Sequence, residues 1–161
     1  MKWDTILNYL IMHEKEEKAL ELINKMEIES INKVNKYEMT ALIYACNKKM
    51  GSVALKLLER EEIHDFLGAC RRIEHVSHVQ SLCHVNQVNK SGNTALIWAC
   101  INKMESVALK LLEREEININ HVNEMGQTAL NWACYAEMES VINKIKEVIF
   151  IKKNEITLYN I

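Results

Sequence analysis

Residues 40–63 read TALIYACNKKMGSVALKLLEREEI, and residues 94–117 read TALIWACINKMESVALKLLEREEI. The two 24-residue stretches differ only at the paired positions 44/98, 47/101, 48/102 and 51/105. A catalytic site has no use for a second copy of one of its walls, whereas a stack of similar units is built from such copies. The duplication therefore predicts a repeat array, and arrays of this kind usually bind other molecules rather than catalyse reactions.

Shorter matches extend the duplication to four units. The triplet Thr94-Ala95-Leu96 recurs 34 residues later, at 128–130, and 54 residues earlier, at 40–42. A related triplet, Thr5-Ile6-Leu7, lies another 35 residues towards the N-terminus. A fixed period of this length is the pattern of a repeat architecture, and we expect units that begin near residues 5, 40, 94 and 128.

Each unit predicts a pair of helices. Leu42, Ala45 and Cys46 are spaced i, i+3 and i+4, which places them on one face of a helix. Thr40 precedes this helix and can accept a hydrogen bond from a free backbone N–H. A second helix is predicted over residues 52–60, 106–114 and 139–148, and its apolar face would pack on the first helix and on the next unit.

A shorter pattern separates the helix pairs. Apolar and polar residues alternate before Asn35, Asn89 and Asn123, and in the last two units a glycine, Gly92 or Gly126, follows three residues later. Asparagine side chains hydrogen-bond to their own backbone in turns. The pattern predicts an extended turn or short hairpin between successive helix pairs.

Together, the period, the turn followed by two helices and the string GNTALIWAC…VALKLLE resemble the ankyrin repeat, whose motif is G-x-T-P-L-H-x-A. The resemblance implies an all-α ankyrin-repeat solenoid of about four helix-turn-helix units. Units are expected near 5–35, 36–63, 86–118 and 120–149, with an inserted, helical segment at 64–85 between units two and three and a C-terminal tail at 150–161. Alanine stands in place of the motif proline. The motif histidine is replaced by Ile43, Ile97 and Asn131. The glycine between the two helices of a unit is replaced by Lys49, Lys103 and Glu137, and the glycine of the turn is replaced by Glu38 in unit two.

The inserted segment has its own composition. Residues 64–83, HDFLGACRRIEHVSHVQSLC, contain no lysine and no asparagine, although both are abundant in the rest of the chain. Cys70, His75, His78 and Cys83 within it are ligand types that zinc prefers. Their spacing matches no finger pattern, so we predict no metal or cofactor and read them as a packed thiol and solvated loop side chains. A metal- or redox-responsive insert at 64–84 is kept as the alternative function.

Three columns of equivalent residues favour structural roles. Cys46, Cys100 and Cys134 are predicted to fill a small slot between paired helices. The aromatic column Tyr44, Trp98 and Trp132 is predicted to lie buried or half-buried between units, and Met50, Met104 and Met138 in or near the core. Arg60 and Arg114, each followed by two glutamates, are interpreted as solvated loop charge.

Composition excludes several function classes. The net charge of −2 does not call for nucleic acid or an anionic membrane, and no apolar run reaches the ~18 residues that a membrane span needs. The five cysteines form no disulfide pattern, which favours a reducing compartment, the cytoplasm or the nucleus. With four glycines there is no phosphate-binding loop, and no catalytic set is evident. We expect a monomeric, non-catalytic protein.

The resemblance implies a protein partner, bound around the turn and at the end of the first helix of each unit. Carried over residue by residue, the partner-binding positions are Lys36, Tyr37, Met39, Asn47, Lys48, Lys90, Ser91, Asn93, Ile101, Asn102, Glu124, Met125, Gln127 and Tyr135. The expected anchors are the larger apolar and aromatic residues of this set, namely Tyr37, Met39, Ile101, Met125 and Tyr135.

Overall fold

The computed structural model describes residues 6–26, 31, 33–60 and 84–158. Most of the predicted insertion, residues 64–83, lies outside these ranges. The described part of the chain contains helices and turns and no strand. Its α-helices are α1 (Ile6–Met12), α2 (Glu16–Lys25), α3 (Ala41–Asn47), α4 (51–60), α5 (Ala95–Ile101), α6 (Glu105–Leu112), α7 (Ala129–Tyr135) and α8 (Glu139–Leu158), and a short 3-10 helix spans His84–Asn86.

The helices form four pairs that stack side by side. Each first helix packs against the first helix of the next unit, in the order α1, α3, α5 and α7. Second helices also meet across units, as α6 does with α8. One continuous apolar core therefore runs through all four units, and the prediction of an all-α repeat solenoid is confirmed.

Threonine begins three of the first helices. The Thr40 Oγ1 accepts a hydrogen bond from the Ile43 N–H at 3.2 Å, and Thr94 makes the same contact with Ile97. Thr128 accepts from the Asn131 N–H at 3.3 Å, and the Asn131 side chain accepts in return from the Thr128 N–H at 2.8 Å. The predicted caps satisfy backbone donors that a helix start leaves unpaired.

Small residues let the paired helices approach closely. Ala45 and Ala99 are fully buried, as are Cys46 and Cys100. The prediction for Cys134 is wrong, because this thiol is exposed. Its equivalents are covered by the following unit, and the part of the chain that the structure describes places no unit beyond α7 and α8. The column Tyr44, Trp98 and Trp132 is buried or half-buried and the three methionines are buried, as expected.

The outward face of unit four is more polar than the matching faces of the inner units. Asn131 takes the position of the buried Ile97, and Lys146 takes that of the buried Leu112. Both polar side chains are exposed. A repeat whose outer face is polar can meet water without hiding that face.

The ends of the second helices differ from the sequence-based expectation. Helix α6 ends at Leu112, two residues early, and α8 continues to Leu158, so most of the predicted tail at 150–161 extends the last helix. Neither glycine nor proline interrupts that stretch. The Lys152 Nζ donates to the main-chain carbonyls of Glu115 at 2.8 Å and Ile117 at 2.9 Å. These contacts hold the extended helix against the loop that follows α6.

The two arginines predicted as solvated loop charge connect units instead. Arg114 is only 8% exposed, and its Nη2 donates to the Leu58 carbonyl at 2.9 Å. Arg60 occupies the same register one unit earlier, and its guanidinium donates to the carbonyls of Asn24 and Met26. The earlier interpretation is wrong because the five N–H donors of arginine can satisfy main-chain carbonyls of the preceding unit.

Candidate partner-binding surface

The turn between helix pairs is locked by an asparagine in three units. Asn35 Oδ1 accepts from the N–H groups of Tyr37 at 2.8 Å and Met39 at 3.1 Å. Asn89 and Asn123 repeat both contacts, two and four residues further on, at 2.9–3.1 Å. In each case the asparagine N–H also donates to the carbonyl four residues later. A fourth hydrogen bond runs from the N–H three residues after each asparagine to the asparagine carbonyl. The predicted turns are therefore closed loops, each held in one conformation by four hydrogen bonds.

Successive turns are joined into one surface. The Lys90 N–H donates to the Tyr37 carbonyl, and the Glu124 N–H donates to the Ser91 carbonyl, both at 3.3 Å. The Asn123 Nδ2 donates to Asn93 Oδ1 at 2.8 Å. We call residues 36–38, 90–92 and 124–126 the turn stripe. Because the contacts repeat, equivalent positions lie next to one another along the stripe.

The turn stripe needs glycine at one position in particular. Gly92 has a φ of +71°, and a Cβ added there would lie 3.0 Å from the Glu124 backbone nitrogen. Gly126 has a φ of +73° but an added Cβ would meet nothing within 4 Å. Glu38 adopts a φ of +60° at the equivalent position of unit two. A left-handed conformation costs a non-glycine residue roughly 1–2 kcal/mol, so unit two holds its turn at some loss of stability.

A second row of equivalent positions lies where the first helices end. We call residues 47–49, 101–103 and 135–137 the helix-end stripe. The Asn102 Nδ2 donates to the carbonyls of Cys46 at 2.8 Å and Asn47 at 3.2 Å, which fixes the end of α5 against the end of α3. The Lys48 Nζ lies 3.7 Å from Glu14 of unit one. Units one to three are thus also held in register along this row.

Large apolar side chains stand exposed at several stripe positions. Tyr37 is 48% exposed, Met125 68% and Tyr135 83%. The Lys36 ammonium lies 4.9 Å from the centre of the Tyr37 ring. The Tyr135 ring packs edge-on against Trp132, with 6.0 Å between the two ring centres. Exposed aromatic residues on an ordered backbone are typical anchors of protein interfaces.

Other predicted positions have different surroundings. Met39 and Asn93 are buried, and Asn93 is bonded to Asn123 within the turns, so neither offers an anchor. Ile101 is half-buried, and Asn102 is engaged across units. The polar positions Asn47, Lys48 and Gln127 are half-buried, and Lys36, Lys90, Ser91 and Glu124 are exposed. The structure thus brings most of the predicted set together on the two stripes and moves two members into the interior.

The described residues offer little reactive chemistry. Burial raises the pKa of the Cys46 thiol well above its ordinary value and that of Cys100 to about 12, so both are inert. No group of three or more histidine, cysteine or acidic side chains that could hold a metal occurs in the described ranges. No described helix has the length and apolar character to cross a bilayer. The candidate ligands Cys70, His75, His78 and Cys83 lie outside the described residues.

Two residues that organise the array were missed by sequence reasoning. Arg60 and Arg114 stand in register in a chain whose other two arginines, Arg71 and Arg72, lie within the predicted insertion and whose remaining positive side chains are lysines. That preference was a usable signal, because arginine can bind several carbonyls at once and lysine acts as a compact point charge. Asn102 was counted as a contact residue, and no sequence signal indicated that its amide reaches the preceding unit.

Comparison with known proteins agrees with this architecture. The family model "Ankyrin repeats (3 copies)" matches residues 66–155, more than half of the chain. The crystal structure of EF0377, an ankyrin repeat protein, superposes with a TM-score of 0.64 at 14% sequence identity, which bears on fold alone. The match covers 91% of this chain and 63% of that one, so this chain spans less than two thirds of that protein's length. A comparison of this chain with curated protein sequences found no match.

Proposed function

Because this chain belongs to the ankyrin repeat family, we propose that it is a non-catalytic interaction module that binds a partner protein on the turn stripe and the helix-end stripe. Ankyrin repeats generally serve in protein interactions. The anchors are Tyr37, Met125 and Tyr135, with Ile101 contributing its exposed part. The protein acts in a reducing intracellular compartment, the cytoplasm or the nucleus.

One observation supports this proposal above the others: exposed aromatic and apolar side chains stand on turns whose backbone is ordered by repeated hydrogen bonds. Tyr37 and Met125 sit on turns closed by Asn35 and Asn123, whose side chains accept from those same residues. An ordered surface loses little conformational entropy on association, so more of the contact energy is left for affinity.

The same array offers exposed apolar side chains away from the stripes, which supply a control. Phe150 is 67% exposed and Ile151 45% exposed, and both lie on the extended part of α8. A photo-crosslinking amino acid is introduced in the full chain at position 125, at position 135 or at position 150, and crosslinked proteins are identified after irradiation in cell extract. We expect one partner to be captured from positions 125 and 135 and not from position 150.

Alanine variants give a second readout with the purified partner. Tyr37→Ala combined with Tyr135→Ala is expected to weaken binding by about 10-fold to 100-fold, because interface aromatics dominate binding energy. Phe150→Ala with Ile151→Ala should leave the affinity within about two-fold. Partner capture from position 150 alone, or equal losses in both variants, would contradict the proposed surface.

The alternative function, a metal- or redox-responsive insert at 64–84, stays a prediction. Zinc titration of the purified chain with counting of free thiols tests it, since a four-ligand site would take up one equivalent and protect Cys70 and Cys83.

A further inference from the structure

Charge changes sign along both stripes at the same unit. On the turn stripe, one position holds Lys36 in unit two, Lys90 in unit three and Glu124 in unit four. On the helix-end stripe, the equivalent series is Lys49, Lys103 and Glu137. All six of these side chains are exposed. Lys48 adds a further positive charge in unit two, which the Glu14 carboxylate at 3.7 Å offsets in part.

The structure fixes the positions that carry these charges. Lys90 and Glu124 are the two residues whose N–H groups bond the preceding turn, so their side chains start from equivalent, adjacent points of the surface. Lys49, Lys103 and Glu137 share a positive φ of 56–60°, which gives their side chains the same starting direction in all three units. The change in the sign of the charge is therefore a property of the assembled surface as well as of the sequence.

Two acidic residues interrupt the basic part. Glu38 lies on the turn of unit two, and Glu105 begins α6 just after the helix-end stripe of unit three. Five lysines, namely Lys36, Lys48, Lys49, Lys90 and Lys103, still outnumber them across units two and three. In unit four, the two stripes carry Glu124 and Glu137 and no lysine or arginine.

Unit four also holds the most exposed apolar side chains of the stripes. Met125 follows Glu124 directly, and Tyr135 lies two residues before Glu137. The surface thus has a basic part over units two and three and an apolar part with an acidic border over unit four.

We propose that the partner is a polypeptide segment of matching polarity, with carboxylates over units two and three and an apolar anchor bordered by basic side chains over unit four. This inference rests on the proposed function and adds the chemistry and orientation of the partner. Complementary charges steer encounter and fix orientation more than they raise affinity, so the segment binds in one direction across the stripes.

A single-stranded nucleic acid is the other polyanion that could meet the lysines, and the surface fits it less well. Its phosphates would be repelled by Glu124 and Glu137 on reaching unit four. Of the arginines in the described residues, Arg60 and Arg114 bond main-chain carbonyls within the array. Tyr37 is the exposed aromatic residue of the basic part, and nucleic-acid grooves usually supply several stacking rings.

The test uses a displayed library of random peptides of about 16 residues, long enough to cross three units when extended, selected on the full chain. Enriched peptides are then synthesised and titrated against three proteins. These are the wild type, the stripe variant Lys36→Glu/Lys90→Glu, and a control with the same change in charge, Lys18→Glu/Lys146→Glu. Lys18 and Lys146 are exposed on second helices, away from both stripes.

We expect enriched peptides to carry Asp and Glu in one half and a large apolar residue beside Lys or Arg in the other. Their affinity should fall about 10-fold for the stripe variant and stay within about two-fold for the control. Raising the salt to about 0.5 M should shrink the difference between the two variants, because exposed charges are screened. Melting curves of all three proteins establish that each is folded.

The possible failures are distinguishable. Peptides that bind the stripe variant as tightly as the wild type but lose affinity with Met125→Ala/Tyr135→Ala overturn the charge polarity and leave the proposed function standing. If no enriched peptide responds to any stripe variant, the proposed function fails as well. A deoxythymidine oligonucleotide that binds more tightly than the peptides, and loses affinity with the stripe variant, overturns the choice of a polypeptide.

Discussion

The guanidinium of Arg114 lies beneath the surface of unit three and donates a hydrogen bond of 2.9 Å to the carbonyl of Leu58 in unit two. The two residues are 56 positions apart, and the intervening chain includes the whole of the predicted insertion. Arg114 is thus one of the contacts by which α4 and the end of α6 are held in register across the insertion.

We predict that Arg114→Met lowers the free energy of unfolding by about 2–3 kcal/mol, because a buried charge-assisted hydrogen bond is lost and a carbonyl is left without that donor. Arg60→Met, at the equivalent but more exposed position, should cost about 1 kcal/mol. Urea denaturation followed by circular dichroism measures both. Equal losses in the two variants would show that burial of the Arg114 contact does not matter.

The two turn glycines form a matched pair. Gly126→Ala should cost about 1–2 kcal/mol, the usual cost of a left-handed conformation in a residue with a Cβ. Gly92→Ala should cost more, about 2–4 kcal/mol, because the added Cβ also meets the Glu124 backbone at 3.0 Å. The difference in denaturation midpoint between the two variants is the measurement. An equal cost at both positions would mean that the neighbouring turn moves away without penalty.

Stability can be gained where a side chain occupies a left-handed position. Lys103 has a φ of +56°, and Lys103→Gly is expected to stabilise the protein by about 0.5–1 kcal/mol despite the greater freedom of glycine in the unfolded chain. Lys90→Gly is the control, since Lys90 is not among the described residues with positive φ, and it should be neutral or destabilising. A higher melting temperature for Lys103→Gly alone is the expected result. Stabilisation by both substitutions would show that backbone conformation at Lys103 is not the cause.

The buried thiol of Cys100 predicts a stability that depends on pH. Burial raises its pKa from 9.0 to about 12, so the thiol ionises in the unfolded chain at a lower pH than in the folded protein. The contribution to stability is full below pH 9 and is lost as the pH rises from about 9 to about 12, at about 1.4 kcal/mol for each pH unit.

Denaturation curves at pH 8, 9, 10 and 10.5 test this expectation through a comparison of slopes. Cys100→Ala should lower the slope above pH 9 by about 1.4 kcal/mol per pH unit, while Cys134→Ala, which removes an exposed thiol, should leave the slope as in the wild type. Every ionisable side chain other than the substituted thiol is common to a variant and the wild type, so its contribution cancels in the comparison. An unchanged slope in Cys100→Ala would sink the prediction.

Much of the fold was predictable because it depends on local sequence signals. The spacing of Leu42, Ala45 and Cys46 predicts a helix face, and Thr40 predicts the start of that helix; the structure confirms both. Asn89 and Gly92 likewise predict a turn, since one side chain and one positive φ are enough to close it. The candidate surface was predictable to the extent that these turns place exposed residues such as Tyr37 and Met125.

Other features could not be read from the sequence because they depend on what lies across a unit boundary. Met39 and Asn93 occupy turn-flanking positions that look like contact sites, but the neighbouring packing buries them. Lys152 holds the extended part of α8 against the loop that follows α6, and nothing in the residues after position 148 indicates that contact.

By itself, the sequence determined that this chain is a stack of helix pairs, where each pair begins, and which residues close the turns. These properties follow from contacts between residues a few positions apart, which periodicity and residue type reveal directly. The tertiary structure alone decided which members of each equivalent column are covered and which face water, as the buried Cys100 and the exposed Cys134 illustrate. Burial and contacts such as those of Arg114 and Asn102 depend on the next unit in space, and identical local sequences carry no record of whether such a neighbour is present.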